Sequence, residues 1–337
     1  MTAALMIVRT MPRESRRLQP RPLARYFLGM AAVRRPLWRR PRALVLAIGA
    51  GVVLGLTLSV IGAGGPEAWL AARTPRSEVP VPPYDPRGEL VSVDGRRVYL
   101  DCRGPSGPPP ARQSMVILEA GFGAGAASWG AVLDGVAEFA RVCAWDRPGL
   151  GRSAPRGRHS PAEALDDLWR ALDTAGETGP IVVAGHSFGG VYARILAAEH
   201  PEAVVGLVLI DAYYPDIGIE SDPSLPADFR EGFGRSLDDT AAMLARGEDL
   251  DWPSTMAELE AATPYTGPAI LLSVEPRLRP FHADPAVNAV ILEAFEASLA
   301  VMLPKGRLEA VPNAGHMIQF DQPAVVIARI RELVEGS

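Results

Sequence analysis

The sequence predicts an α/β protein whose core is a mostly parallel sheet of eight strands with helices on both faces. Across residues 88–337, short apolar runs alternate with segments of helical spacing, which is the pattern of repeated strand–helix units. The hydrophobic content of 48% over 337 residues is sufficient for a large buried core. The alternation stops between residues 212 and 267, where we expect a small helical insert.

The N-terminal residues differ in charge from the rest of the chain. Residues 1–42 contain eleven arginines and one acidic residue, a net charge of +10, so the remainder carries −15. Residues 43–65 contain no charged side chain, and a run of this length can cross a bilayer as a helix. Because the arginines precede the run, we expect an uncleaved signal anchor with a cytoplasmic tail at 1–42 and an extracytoplasmic domain. A cleaved signal peptide is the alternative.

The segment between the predicted span and the folded domain is rich in proline. Residues 66–87 therefore predict a semi-extended linker that holds the domain at 88–337 away from the membrane. The basic tail contains few aromatic residues and lies directly before an apolar run. This position fits membrane orientation better than nucleic-acid binding, so the membrane is an expected partner and nucleic acid is not.

Local patterns predict each element of the domain in turn. Asp94 and Gly95 form a hairpin turn signal between the first two strands. Ser160 followed by Pro161 marks the start of a helix. The predicted strands are 88–93, 97–102, 115–119, 141–145, 181–185, 204–210, 269–274 and 307–311. The predicted helices are 126–139, 161–175, 189–199, 238–246, 254–262, 285–302 and 323–334.

The turn after the fifth strand contains the candidate nucleophile. The apolar run that begins at Ile181 ends at Gly185, and a helical pattern begins near Gly189, with Ser187 midway between the two glycines. A strand that turns directly into a helix strains the residue at the corner and leaves no room for side chains two residues before and after it. The pattern predicts a serine hydroxyl raised on a sharp turn above a helix N-terminus.

A second motif points to a different class of protein. Residues 121–126 read Gly-x-Gly-x-x-Ala between a strand and a helix, and Asp146 ends the next strand. This is the fingerprint of dinucleotide-binding domains, so a nicotinamide-dependent oxidoreductase is an alternative. That alternative places the fingerprint on the third strand rather than the first. It gives no role to Ser187 or to His316, a histidine in the loop after the last predicted strand.

Four motifs in this order and spacing resemble those of the α/β-hydrolase superfamily. They are residues 119–123 (Glu-Ala-Gly-Phe-Gly), 146–151 (Asp-Arg-Pro-Gly-Leu-Gly), 185–190 (Gly-His-Ser-Phe-Gly-Gly) and 313–316 (Asn-Ala-Gly-His). The resemblance extends over roughly residues 89–334. It implies the α/β-hydrolase fold, with residues 212–267 as a helical lid over the site.

The resemblance implies that Ser187 is the nucleophile and that a histidine is its base. His316 follows the last strand and fits the chain order of nucleophile, acid and histidine in this fold. His282, in the loop after the strand at 269–274, is the alternative base. The remaining histidines fit other positions, in the nucleophile turn, at a helix end and in a polar loop: His186, His200 and His159.

The acid that orients the histidine is less clearly marked. Many family members place it after the seventh strand, but here that stretch reads Val-Glu-Pro-Arg, with Arg277 where an aspartate is usual. Other members, including certain haloalkane dehalogenases, place the acid after the sixth strand, which corresponds to Asp211 here. We therefore expect Asp211 to complete the triad, with Glu275 as the alternative acid.

The resemblance also suggests an oxyanion hole and a disulfide. The backbone amides of Phe122 and Phe188 are the expected oxyanion donors. The family commonly has His-Gly in the loop after the third strand; this chain has Glu119-Ala-Gly, and Glu119 would be a buried carboxylate that could pair with Arg147. In this fold the second and fourth strands are neighbours, so Cys102 and Cys143 are expected to form a disulfide; two buried thiols are the alternative.

These residues predict a serine hydrolase that cleaves carboxylic esters, or related acyl compounds, through an acyl-enzyme. A serine nucleophile argues against epoxide hydrolase and dehalogenase chemistry, which in this fold use an aspartate. A catalytically inactive binding protein of the same fold is the alternative. The sequence has no metal-ligand spacing, and no metal or cofactor is expected. The expected substrate is a small ester or lipid-like molecule; the sequence does not indicate the oligomeric state.

Overall fold

The computed structural model of the chain describes residues 84–106, 114–216, 218, 221–223, 225–274 and 284–336. The predicted tail at 1–42, the predicted span at 43–65 and residues 66–83 of the predicted linker lie outside this part of the chain. So do the alternative acid Glu275 and the alternative base His282.

The described residues form the predicted sheet of eight strands, in the order β1-β2-β4-β3-β5-β6-β7-β8. Strands β1 and β2 pair antiparallel, as do β2 and β4, and all other neighbours are parallel. The prediction of a mostly parallel eight-stranded sheet is therefore confirmed. The strands are Glu89–Val93 (β1), Arg96–Arg103 (β2), Met115–Glu119 (β3), Val142–Trp145 (β4), Ile181–His186 (β5), Val204–Ile210 (β6), Ala269–Val274 (β7) and Gly306–Val311 (β8).

Helices cover both faces of the sheet. Successive side chains of a strand point to opposite faces, so Val116 and Ile117 of β3 lie in two different hydrophobic clusters. One cluster includes Leu168 of α2 and the other includes Ile330 of α8. The helices are Gly130–Ala137 (α1), Pro161–Thr174 (α2), Gly189–Glu199 (α3), Ala227–Gly247 (α4), Trp252–Ala261 (α5), Pro285–Met302 (α6), Ile318–Asp321 (α7) and Pro323–Gly336 (α8).

Two helices differ from the sequence prediction by more than two residues at a boundary, and the short helix α7 was not predicted. The segment predicted as one helix at 126–139 is a 3₁₀ turn, Ala126–Trp129, followed by α1. In the insert, α4 begins eleven residues before the predicted start at 238, directly after Pro226. Its first turns pack Phe229 and Phe233 against the buried Ile291 of α6. This contact is with a distant part of the chain, so the charged local sequence gave little indication of a helix there.

The first helix of the insert is followed by a short backbone connection to the rest of the domain. The His159 amide donates to the Asp249 carbonyl over 3.0 Å, and the Asp251 amide donates to the His159 carbonyl over 2.7 Å. These bonds make an isolated parallel bridge between His159 and Leu250. The end of α4 is therefore fixed to the loop that precedes α2.

Helix α6 stands out for its hydropathy. Among the described helices, it alone has the length and the composition of a membrane span, with a mean hydropathy of 1.4, and 11% of it is buried. Its inner residues Ile291 and Leu299 contact the hydrophobic clusters described above. Length and composition are weak indications by themselves, and the span predicted at 43–65 is a different segment.

Cys102 and Cys143 occupy directly opposite positions on the antiparallel pair β2 and β4. Their Cα atoms are 4.0 Å apart, and their sulfur atoms lie at the bonding distance of 2.05 Å. The structure thus contains the disulfide that the neighbouring second and fourth strands implied. It closes a loop with a sequence separation of 41 between the two cysteines.

Candidate active site

Ser187 lies at the corner between β5 and α3, in a left-handed backbone conformation with φ of 52°. The two flanking glycines are required by close backbone contacts. A Cβ atom on Gly185 would lie 2.5 Å from the Gly189 carbonyl oxygen, and one on Gly189 would lie 2.1 Å from the Glu119 carbonyl oxygen. Such distances exclude any side chain. The steric argument made from the sequence therefore holds at both positions.

The structure places His316 between Ser187 and Asp211. The His316 Nε2 atom is 3.1 Å from Ser187 Oγ, and His316 Nδ1 is 2.6 Å from Asp211 Oδ2. A carboxylate only accepts hydrogen bonds, so Nδ1 carries the proton that it donates to Asp211. This tautomer leaves the Nε2 lone pair to accept the Ser187 hydroxyl proton.

Asp211 is the first residue after β6, and hydrogen bonds to the neighbouring strand β7 hold it in place. Its amide donates to the Leu272 carbonyl over 2.7 Å, and its Oδ1 atom accepts from the Val274 amide over 3.4 Å. The backbone φ of Asp211 is 41°, a strained conformation of the kind found at functional sites. The carboxylate is 13% exposed, whereas the His316 ring is 42% exposed.

The other described histidines form no hydrogen bond with Ser187 Oγ. His159 lies in the loop before α2, where its Nδ1 is 2.7 Å from the Gly157 carbonyl, and His200 stacks on the ring of Trp169 at 3.7 Å. His186 contacts the site indirectly, because its Nε2 donates to the His316 carbonyl over 2.8 Å. Burial, and then the neighbouring His316, lower the pKa of His186 to about 4, so its ring is neutral at pH 7.

The two expected oxyanion donors belong to the two segments that meet at the nucleophile, the turn that contains Ser187 and the loop after β3. Phe188 follows Ser187 and is the N-cap residue of α3. Phe122 lies in the loop after β3, which passes close to Ser187: a Cβ atom on Gly121 would lie 3.4 Å from Ser187 Cβ. Because Phe188 is the N-cap residue of α3, its amide lies at a helix N-terminus, where the helix dipole favours negative charge.

A buried charged cluster lies beneath this loop. Burial raises the pKa of Glu119 to about 7, although Arg147 and the Trp145 indole N–H oppose the shift. The Arg147 Nη1 atom is 3.9 Å from Glu119 Oε2, so the pairing expected from the sequence is present at long range. The main partner of Arg147 is Glu248, at 2.9 Å. Sequence reasoning missed Glu248, which follows α4 in the insert.

The residues of the dinucleotide fingerprint have another use in the structure. Asp146 Oδ1 accepts from the Ala126 amide and Oδ2 accepts from the Arg152 amide, both over 2.9 Å. The carboxylate that would bind a ribose hydroxyl therefore holds two loops of the protein together. The close approach of His186 accounts for a glycine at position 121, because a Cβ there would lie 2.9 Å from His186 Nδ1. The motif thus has a structural role without a dinucleotide.

Within the described ranges, one group of possible metal ligands comes close together. It comprises Cys102, Cys143 and Glu177. The two sulfur atoms are bonded to each other, and the Glu177 carboxylate is paired with Arg141. Neither thiolate is therefore present to bind a metal ion.

The fold, the nucleophile turn and the histidine beside it define a class of protein that the family comparison also identifies. A family model described as the alpha/beta hydrolase family matches residues 115–329, which is more than half of the chain. The protein belongs to this family. The resemblance inferred from the four sequence motifs is thereby confirmed.

Individual relatives have low sequence identity to this chain or match only a short part of it. RutD of Caulobacter sp. (strain K31), named as a putative carbamate hydrolase, is 26% identical over 272 residues, 73% of this chain and 97% of that protein. Uncharacterized protein C23C11.06c of Schizosaccharomyces pombe is 45% identical over 73 residues, so the match spans only 14% of that relative. The structure of Cfl2 from Burkholderia cenocepacia has a TM-score of 0.53 at 18% identity, covering 75% of this chain and 98% of that one. This structural likeness concerns the fold alone.

Proposed function

We propose that this protein is a serine hydrolase that cleaves carboxylic esters, or related acyl compounds, through an acyl-enzyme intermediate. The observation that carries the proposal is the line of hydrogen bonds from Ser187 through His316 to Asp211, at 3.1 Å and 2.6 Å. A nucleophile, a base and an orienting acid in this geometry are what acyl transfer through serine requires.

In the proposed mechanism, Ser187 Oγ attacks the ester carbonyl while His316 Nε2 takes the hydroxyl proton. Asp211 holds the imidazole in the required tautomer and stabilises the positive charge that forms on it. The amides of Phe122 and Phe188 donate to the oxygen that becomes negative. His316 then returns the proton to the leaving alcohol, and a water molecule, activated by the same nitrogen, releases the acyl group.

We propose Asp211, rather than Glu275, as the acid. Its Oδ2 atom already contacts His316 Nδ1, and its own backbone is fixed to β7 by the bond to Leu272. An acid anchored on two neighbouring strands keeps its position when the histidine ring is displaced during catalysis. This support for Asp211 is geometric, and it agrees with the departure from the usual family sequence at Arg277.

The surroundings of the nucleophile favour an apolar acyl or aromatic group in the substrate. The Phe188 ring lies 5.7 Å from the ring of Tyr192 and 6.4 Å from that of Tyr213, and Tyr213 is the second residue of the insert. The Phe122 side chain packs against the larger hydrophobic cluster. Phe188 and Tyr192 are themselves buried in the core. The partly buried rings of Phe122 and Tyr213 are therefore the ones available to contact an apolar group of the substrate. The name of RutD, a putative carbamate hydrolase, describes related carbonyl chemistry.

We also propose that the protein is a single-pass membrane protein with its hydrolase domain outside the cytoplasm. The support is in the sequence: an uncharged run at 43–65 directly after a tail of net charge +10. Carbonate extraction of membranes and protease treatment of intact cells test this proposal. A carbonate-soluble protein, or a domain protected from external protease, would contradict it.

The experiment that tests the hydrolase proposal is hydrolysis of p-nitrophenyl esters of graded acyl length. We expect the wild-type protein to hydrolyse at least one ester and Ser187→Ala to be inactive. Ser221→Ala, an exposed serine of the insert that bonds to the Gly218 carbonyl, is the control and should keep full activity. Circular dichroism checks that each variant is folded. A folded wild-type protein that hydrolyses none of the esters would favour the inactive binding protein instead.

A further inference from the structure

Arg147 is a buried arginine that binds two consecutive carbonyl groups of the loop after β3. Its side chain is 1% exposed. Its Nη1 atom donates to the Ala120 carbonyl over 2.6 Å, and its Nη2 atom donates to the Gly121 carbonyl over 2.8 Å. One rigid guanidinium group therefore contributes to the direction of two neighbouring peptide units. The Ala124 amide donates to the same Gly121 carbonyl over 3.1 Å.

The contact with Gly121 determines where the Phe122 amide points. In a trans peptide the N–H and the C=O of one unit point in opposite directions, and the described residues contain no cis peptide bond. The Gly121 carbonyl and the Phe122 amide belong to the same unit. Because Arg147 binds that carbonyl, the Phe122 N–H is directed away from Arg147, in a loop whose Gly121 lies beside Ser187.

Glu248 joins the insert to both the arginine and the loop. Its Oε1 atom accepts from the Gly123 amide over 2.6 Å and from Arg147 Nη2 over 2.9 Å, and its Oε2 atom accepts from Arg147 Nε over 3.0 Å. The preceding residue, Gly247, contacts the Phe122 ring so closely that a Cβ there would lie 2.5 Å from the ring. Two consecutive residues of the insert thus touch the loop that carries the Phe122 amide.

The charged side chains of Arg147 and Glu248 are both buried, and burying a charge costs free energy. Arg147 and the Glu248 carboxylate are each 1% exposed, and a buried ion pair usually gains little stability over apolar side chains of the same size. Burial lowers the pKa of Arg147, but Glu248, Tyr192 and Glu119 outweigh this effect and raise the pKa above its ordinary value, so the guanidinium stays charged. What the pair supplies is direction. Two hydrogen bonds join Arg147 to Glu248, and three more hold Ala120, Gly121 and Gly123 of the loop.

We propose that Arg147 and Glu248 are positioning residues for the oxyanion hole. Arg147 sets the direction of the Phe122 amide, and Glu248 holds Arg147 and the Gly123 amide from the insert side, so the hole is complete only when the insert is in place. The inference deepens the proposed function and rests on it. It assigns the insert a part in the reaction itself, in addition to the role of a lid expected from the sequence.

The test compares a transition-state analogue with a ligand that forms no oxyanion. A trifluoromethyl ketone adds to Ser187 and develops a negative oxygen in the hole, whereas the matched secondary alcohol binds the same pocket without adding. The central variant is the double substitution Arg147→Met with Glu248→Gln. The double variant removes the charges of both partners, so neither is left buried without the other. The glutamine keeps a side-chain oxygen that can accept from the Gly123 amide. Glu248→Gln alone is the milder second variant, in case the double variant does not fold.

We expect the double variant to lose about 10²-fold in kcat for the ester, the scale of one misdirected oxyanion donor. The affinity for the trifluoromethyl ketone should fall by a similar factor, and KM and the affinity for the alcohol should change by less than about threefold. Glu248→Gln should show the same pattern at about tenfold. The matched control removes another buried ion pair that joins the insert to the rest of the domain, Arg194→Met with Asp216→Asn. Its ketone-to-alcohol affinity ratio should stay at the wild-type value.

Two results would overturn the inference while leaving the proposed function intact. One is an active wild type together with a folded double variant of unchanged kcat. The other is an equal loss of affinity for the ketone and the alcohol, which would indicate a general distortion of the pocket. A wild type that neither hydrolyses an ester nor binds the ketone more tightly than the alcohol would overturn both.

Discussion

The acid of the triad gives the sharpest prediction, because the sequence left two alternatives. We expect Asp211→Asn to keep the fold and to lose most of the activity. An asparagine of the same shape can turn its amide nitrogen toward His316 Nδ1, which would then have to accept rather than donate. The ring proton would move to Nε2, the atom 3.1 Å from Ser187 Oγ, and His316 could no longer take the serine proton.

The expected size of the loss follows from this geometry. The bond between Asp211 and His316 is 2.6 Å long, and the carboxylate is 13% exposed, so water can replace it only poorly. A wrong tautomer of this kind costs about 10⁴-fold in kcat, which corresponds to about 5 kcal/mol of transition-state free energy. KM should change little, since Asp211 holds the base rather than the substrate.

The assay measures kcat and KM for the best p-nitrophenyl ester with the wild type, Asp211→Asn and Glu275→Gln. Thermal unfolding of each protein checks that the fold is retained. We expect Glu275→Gln to keep kcat within about threefold of the wild type. The reasoning fails if folded Asp211→Asn keeps more than about a tenth of the wild-type kcat, or if Glu275→Gln loses as much as Asp211→Asn.

Three further predictions concern stability. Replacing Cys102 and Cys143 by serine should lower the free energy of unfolding by about 4 kcal/mol for a closed loop of 41 residues, and thiol titration of denatured, unreduced wild type should find no free thiol. Glu119 has its folded pKa raised to about 7, so its contribution to stability is present at low pH and is lost as the pH rises through about 7. Urea unfolding from about pH 5 to about pH 8 should therefore show wild type losing about 3 kcal/mol relative to Glu119→Gln, and a constant difference would contradict the shift. Gly189→Ala, with its Cβ at 2.1 Å from a backbone oxygen, should cost about 3 kcal/mol or more, whereas Gly232→Ala, whose nearest contact is a flexible arginine tip at 3.9 Å, should change stability by less than about 1 kcal/mol.

The nucleophile turn could be predicted from the sequence because its requirement is local and steric. The close contacts at Gly185 and Gly189 involve residues of the same turn and the adjacent strand β3. The sheet was equally predictable, since alternating apolar runs and helical segments admit few arrangements. The position of His316 followed from chain order, and the structure brings it to Ser187 across 129 residues of sequence.

The charged cluster under the oxyanion loop could not be predicted in full. Glu248 is separated from Arg147 by 101 residues and from Gly123 by 125 residues, and nothing in its local sequence distinguishes it from a surface glutamate. The early start of α4 has the same cause, because Phe229 and Phe233 pack against α6 rather than against their own neighbours. Contacts of this kind depend on how the insert packs against the rest of the domain, and no short sequence motif indicates that packing.

The most direct test of the central claim is covalent labelling by a fluorophosphonate, followed by mass spectrometry of the intact protein and of its peptides. Phosphonylation needs the serine to be activated by its histidine and the developing oxyanion to be bound, so it reports on both together. We expect one adduct per wild-type molecule, located on Ser187, and none on Ser187→Ala. An unlabelled but folded wild type, or an adduct on another residue, would contradict the assignment of Ser187 as the nucleophile.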